Sequence, residues 1–188
     1  MDGSEPTIRA RVSLGGMAAL LCAIAAAIAA PAPVMAAATP RTSAPHSLYK
    51  SRELWATIDV CNPTDQPNTV GVRGSMPGDG QAHDTMYMSF RLQYEDSATG
   101  KWIDLSSGST APTFVSIGAA SSARQAGRSF QLMPVAGKPA FTLRGVVSFQ
   151  WRRGATVVHA VSRPTTAGQL SLAGADPTGF SAATCLIG

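Results

Sequence analysis

Apolar and polar positions alternate one by one along much of this chain, in short runs separated by Gly, Pro and Asp. The most regular run puts Met86, Met88, Phe90, Leu92 and Tyr94 on one side and Tyr87, Ser89, Arg91, Gln93 and Glu95 on the other. Successive side chains of a strand point to opposite faces, so this pattern predicts a strand with one buried face. Residues 97–100 supply a turn and residues 101–105 a returning partner strand. A second long run sets Phe141, Leu143, Gly145, Val147, Phe149 and Trp151 on one face; Arg153-Gly154 makes a tight turn, and residues 155–161 come back. Residues 54–60 align Leu54, Ala56, Ile58 and Val60. Residues 69–76, 113–117, 129–133 and 180–187 are shorter candidates, with turns or loops at residues 62–67 and 77–80.

The mature chain shows neither a sustained helical period nor an internal repeat. Eight or nine β-branched- and aromatic-rich runs with closely spaced turn signals predict an all-β domain over residues 50–188, built as a two-sheet antiparallel β-sandwich.

The N-terminus follows a different pattern. Arg9 and Arg11 precede a charge-free stretch whose most apolar part, residues 17–30, is shorter than the ~20 residues a membrane span needs. Pro31 and Pro33 break the helix, and Val34-Met35-Ala36 has the small-x-small form of a cleavage site. Residues 1–36 therefore read as a signal peptide, with Ala38 as the next choice of cleavage point. A retained anchor is the weaker reading, because the prolines sit where an anchor would continue. Residues 37–49, rich in Ala, Thr, Pro and Ser, read as a flexible tether. The expected product is secreted or held in the cell envelope, with no stable membrane span after processing.

The segment from Val147 to Val158 resembles the Trp-bearing hairpin of immunoglobulin-like and fibronectin type III domains, in which a strand with a buried Trp turns into a Val-rich strand. The resemblance implies an immunoglobulin-like sandwich and a binding or spacing role; it implies no catalytic residue. Trp151 follows Cys61 by 90 residues, which departs from the antibody cysteine pattern.

Composition narrows the function classes. The net charge of +4 is unchanged by losing Asp2, Glu5, Arg9 and Arg11 with the leader, and the remaining charge is scattered. A nucleic-acid footprint is a clustered basic face, and Arg152-Arg153 is the one adjacent basic pair. Cys22 falls in the leader. The remaining pair, Cys61 and Cys185, reads as a disulfide in an oxidising compartment, against the alternative of two unrelated buried thiols.

Candidate chemistry is sparse. The mature chain has no Gly-x-Ser-x-Gly elbow. His46 lies in the tether, which leaves His83 and His159 as bases; His159 shares parity with Val157 and Val161 and is expected to face the core or end an edge strand. Asp59 and Asp104 point outward on strands, Asp65, Asp79 and Asp96 lie in turns, and solvent contact is their expected role. Asp79 and Asp84 offer two carboxylates in a loop, too few for calcium. Met76, His83, Met86 and Met88 combine soft thioethers with one imidazole, a set suited to Cu(I), but Met86 and Met88 belong to an apolar strand face and are expected to fill the core. Trp55 and Trp102 fall on faces open to polysaccharide stacking, whereas Trp151 continues a core face. The resulting expectation is a non-catalytic module that binds or spaces at the cell surface, without a cofactor, facing envelope polysaccharide or another surface protein. An exported copper-binding protein is the alternative, and a secreted hydrolase comes after it.

Overall fold

The computed structural model describes residues 45–105, 113–169 and 172–188, all within the unit Thr39–Gly188. The expected leader, residues 1–36, and most of the expected tether, residues 37–49, lie outside the described residues. One short helix, α1 (Pro45–Tyr49), precedes nine strands: β1 (Trp55–Cys61), β2 (Thr69–Met76), β3 (Gln81–Asp96), β4 (Lys101–Asp104), β5 (Val115–Ala120), β6 (Arg124–Gln131), β7 (Phe141–Arg153), β8 (Thr156–Pro164) and β9 (Cys185–Ile187). No helix among the described residues is long and apolar enough to cross a membrane.

The strands form two antiparallel sheets. One has the order β1-β2-β6; the other runs β4-β3-β7-β8, with β5 also on β3 and β9 also on β7. Their apolar faces share one core. Ala56, Ile58, Val70, Val72 and Met76 come from the smaller sheet, and Met86, Met88, Phe90, Leu92, Leu143, Val147, Phe149 and Trp151 from the larger. The alternation of β3 and β7 thus has its physical cause in a second sheet opposite each apolar row. Two glycines allow close approach of the sheets. A Cβ on Gly74 would stand 3.0 Å from Val147 and 3.1 Å from Phe149, and one on Gly145 would lie 2.7 Å from both Val72 methyls.

Cys61 and Cys185 are disulfide-bonded, with Cα atoms 5.6 Å apart. The bond ties β1 of one sheet to β9 of the other.

Several boundaries differ from the sequence reading. The tether ends earlier than residue 49: Pro45–Tyr49 is helical, Leu48 is buried in the core, and Arg163 Nη2 donates to the Tyr49 carbonyl at 3.0 Å. The strand expected at residues 129–133 is β6, which starts earlier, at Arg124. Its Arg-Gln-Ala-Gly-Arg-Ser sequence is polar because it is an edge strand pairing with β2 alone in its sheet. The strand expected at residues 180–187 shrinks to Cys185–Ile187. The chain before it instead occupies the free edge of β1, where the Ile58 and Ala182 backbones exchange N–H···O bonds of 2.9 and 3.0 Å and Asp176 N donates to Asp59 O at 2.9 Å.

That covering segment also corrects the expectation for Asp59. Its carboxylate points away from the core, yet the residue is only 3% exposed. It accepts a 2.6 Å bond from Arg73 Nε on the neighbouring strand. A buried carboxylate needs such a partner, since desolvating an unpaired charge is expensive.

Candidate functional site

At one end of the larger sheet, three pieces of chain converge: the β2–β3 connection, the first residues of β3 and the β7–β8 hairpin. The connection is pinned from both sides. Trp151 Nε1 donates to the Pro77 carbonyl at 3.0 Å, and Gly80 N donates to Ala120 O at 3.2 Å. Asp79 Oδ1 accepts from Gln81 N at 2.8 Å, a short-range bond that turns the chain into β3. The hairpin turns at Gly154, whose φ of 58° suits glycine.

Two breaks in strand register aim the side chains. Gln81 pairs with Ala120 and Thr85 with Ala119, so residues 82–84 have no partner on β5. On β8, Val157 pairs with Arg152 and His159 with Trp151, which leaves Val158 as an extra residue. Bulges of this kind redirect side chains out of the period-two pattern. Thr85 pairs with Arg152, so both irregularities lie at the same end of the sheet. Asp79, Gln81, His83, Asp84, Arg153, Val158 and His159 line the resulting cleft of about 240 Å³.

The cleft is built around two carboxyl groups of different character. Asp84 is 1% exposed and gripped by Arg153 through a fork, Nε to Oδ1 at 2.8 Å and Nη2 to Oδ2 at 3.0 Å. His83 Nε2 lies 3.4 Å from the same Oδ1. The Arg153 bonds hold the Asp84 carboxyl below its ordinary value against the opposing cost of burial. Asp79 is 5% exposed and forms no ion pair among the described residues. Burial raises its pKa, and the nearby Asp84 raises it further, while the Gln81 amide and His159 act in the opposite direction. The two carboxyls are thus pushed in opposite directions, and Asp84 gives up its proton at lower pH than Asp79. The sequence expectation of solvent contact for Asp79 is corrected accordingly: β3 and β8 close over its turn.

His159 is half-buried on the edge strand β8, its ring edge-on to Trp151 at 6.2 Å and to Tyr49 at 6.4 Å. The residues singled out for copper divide between two environments. Met76, Met86 and Met88 are fully buried in the core, whereas the His83 side chain is 59% exposed beside Asp84. No group of three or more His, Cys, Asp or Glu suited to a metal ion occurs among the described residues. Asp59 and Asp104 lie on different sheets and do not flank a common groove. Trp151 is fully buried, Trp55 is half-buried, and Trp102 is half-buried beneath Arg144. Sequence reasoning did not bring Arg153 and His159 to Asp79 and Asp84, because the two bulges that do so leave no mark in the hydrophobic pattern.

No family model, curated protein or solved structure matches this chain.

Proposed function

We propose that the chain is an exported, non-catalytic binding module of immunoglobulin-like type, working through the cleft between the β2–β3 connection and the β7–β8 hairpin. The observation that carries this reading is the convergence of Asp79, His83, Asp84, Arg153 and His159 on one cleft from separate connections at one end of the sandwich. Variable immunoglobulin domains carry their contact loops at one end in the same way, on the connections after their second and sixth lettered strands. The strand orders β1-β2-β6 and β4-β3-β7-β8 support the immunoglobulin-like type. The disulfide and the buried Trp depart from the antibody scheme: the bond joins β1 to β9, and Trp151 lies on β7.

Binding is favoured over hydrolysis by the condition of the carboxyl groups. Arg153 occupies both oxygens of Asp84, and Asp79 lines the same cleft beside it. Glycosidases instead hold their two carboxyls roughly 5–9.5 Å apart, with the substrate between them. The cleft volume of about 240 Å³ lies below the ~300–1,000 Å³ of common ligand pockets. It suits one projecting group of a larger partner, envelope polysaccharide or surface protein. Export is supported by the leader-like residues 1–36 and by a disulfide, a bond favoured in oxidising compartments.

Fractionation of producing cells tests both parts. The mature chain should begin near Ala37 and sediment with isolated envelopes. Gln81→Ala combined with His83→Ala, two changes at the cleft mouth, should release it into the soluble fraction without unfolding it. A cytoplasmic chain starting at Met1 would overturn export, and undiminished sedimentation of the double variant would overturn the cleft as the contact site.

A further inference from the structure

The outer face of the larger sheet carries arginines that are held rigidly without being neutralised. Arg144 on β7 donates from Nε to Gln93 Oε1 at 2.8 Å, and its guanidinium lies 4.3 Å from the Trp102 ring centre. Arg152, further along β7, donates twice to Gln150 Oε1, at 2.8 and 2.6 Å. It also lies 4.2 Å from the Tyr87 ring and 5.2 Å from the Phe114 ring. Neither arginine forms an ion pair among the described residues. Arg91 is different: it is paired with Asp104 at 3.1 Å and donates to Ser148 at 3.3 Å. Glu95 is exposed at the far, hairpin end of the face.

We infer that this face is a second recognition surface, separate from the cleft, that takes an acidic polysaccharide laid along β3 and β7 between Arg144 and Arg152. Stacking and the glutamine bonds fix each guanidinium in advance, so little side-chain freedom is lost when its remaining N–H groups grip a carboxylate or sulfate. Burial and the charge of Arg91 push the pKa of Arg144 down, and a bound anion relieves that repulsion.

The spacing argues for a sugar chain. Arg144 and Arg152 are eight positions apart on one strand, roughly 26 Å. Between them the face offers neutral hydrogen-bonding groups: Gln150 and the Ser148–Ser162 hydroxyl pair at 2.8 Å. Widely spaced cations with amides and hydroxyls between them match a polymer of sparse charge and many hydroxyls. Nucleic acid carries a charge every ~3.4 Å per strand and calls for a denser row of cations.

Affinity electrophoresis or calorimetry of the disulfide-bonded mature protein tests the inference, with polygalacturonate and dextran sulfate as acidic chains, neutral dextran as control and single-stranded DNA as competitor. At least one acidic chain should bind and dextran should not. Arg144→Gln with Arg152→Gln should weaken binding roughly tenfold or more. Arg124→Gln with Arg128→Gln, which removes the same charge from β6 on the other sheet, should change it less than about twofold. Should the first pair fail to fold, Arg144→Lys with Arg152→Lys keeps the charge, loses the planar fork and should also weaken binding. Equal losses in the two glutamine pairs, no binding of either acidic chain, or tighter binding of DNA would overturn the proposal.

Discussion

Asp79 and Asp84 are neighbours with unequal partners. Both are almost completely buried, but Arg153 holds Asp84 through both oxygens, and among the described residues no guanidinium pairs with Asp79. Burial pushes the Asp79 carboxyl up from its ordinary value, and the Arg153 bonds push that of Asp84 down.

The first prediction concerns Asp79→Asn. A raised carboxyl pKa contributes stability that is fully present below the ordinary value of 3.8 and is lost as pH rises through the folded-state value. The asparagine stays neutral throughout. Calorimetry at a series of pH values should therefore show the Tm of the variant gaining on that of the wild type from pH 3.8 toward neutrality. Parallel curves would contradict a raised Asp79 carboxyl. Asp84 has the opposite sign, stabilising above its ordinary value, and that stability is lost only as pH falls through its lowered pKa, in both proteins.

Arg153→Gln should lower Tm at neutral pH, because it leaves the Asp84 charge buried without its cation. Adding Asp84→Asn to that variant should recover part of the loss. A double-mutant cycle checks this, and additive effects of the two changes would exclude the coupling.

The Cys61–Cys185 bond closes a separation of 124 residues. Chain entropy assigns about 4.7 kcal/mol to a 100-residue loop, and losses on removing native disulfides are typically about 2–5 kcal/mol. Cys61→Ala with Cys185→Ala should fall in that range by denaturant titration. Alkylation of denatured, non-reduced mature protein should find no free thiol.

Core packing gives a pair of tests with different causes. Gly145→Ala should cost about 1–3 kcal/mol by overpacking against Val72, and Met88→Ala about 2–5 kcal/mol by opening a cavity. The wild type should take up no equivalent of Cu(I) against a competing chelator. Tight binding that disappears with His83→Ala would revive the copper reading and require the three buried methionines to leave the core.

The long strands were legible because each faces a sheet on one side only. In β3 and β7 the apolar parity runs unbroken from Met86 to Leu92 and from Leu143 to Trp151, as those residues' burial requires. The disulfide was legible from the cysteine number and the leader-like pattern of residues 1–36. Asp59 was misread because parity reports which face a residue occupies, not whether irregular chain later covers that face. Arg124 to Arg128 was passed over because an edge strand needs no apolar row. The cleft was least visible. Its carboxyls and His159 come from distant segments, and the unmatched residues 82–84 and Val158 that aim them follow no period.

The closure between β1 and β9 also sets an order of events in synthesis. Cys61 appears early in a chain made from its N-terminus, and its partner appears 124 residues later. Throughout that interval β1 can pair with β2 and β3 with β4, while the Cys61 thiol stays open to any passing oxidant or foreign thiol. The native bond can form only after Cys185 has been made. A chain interrupted before Cys185 therefore leaves Cys61 without its native partner.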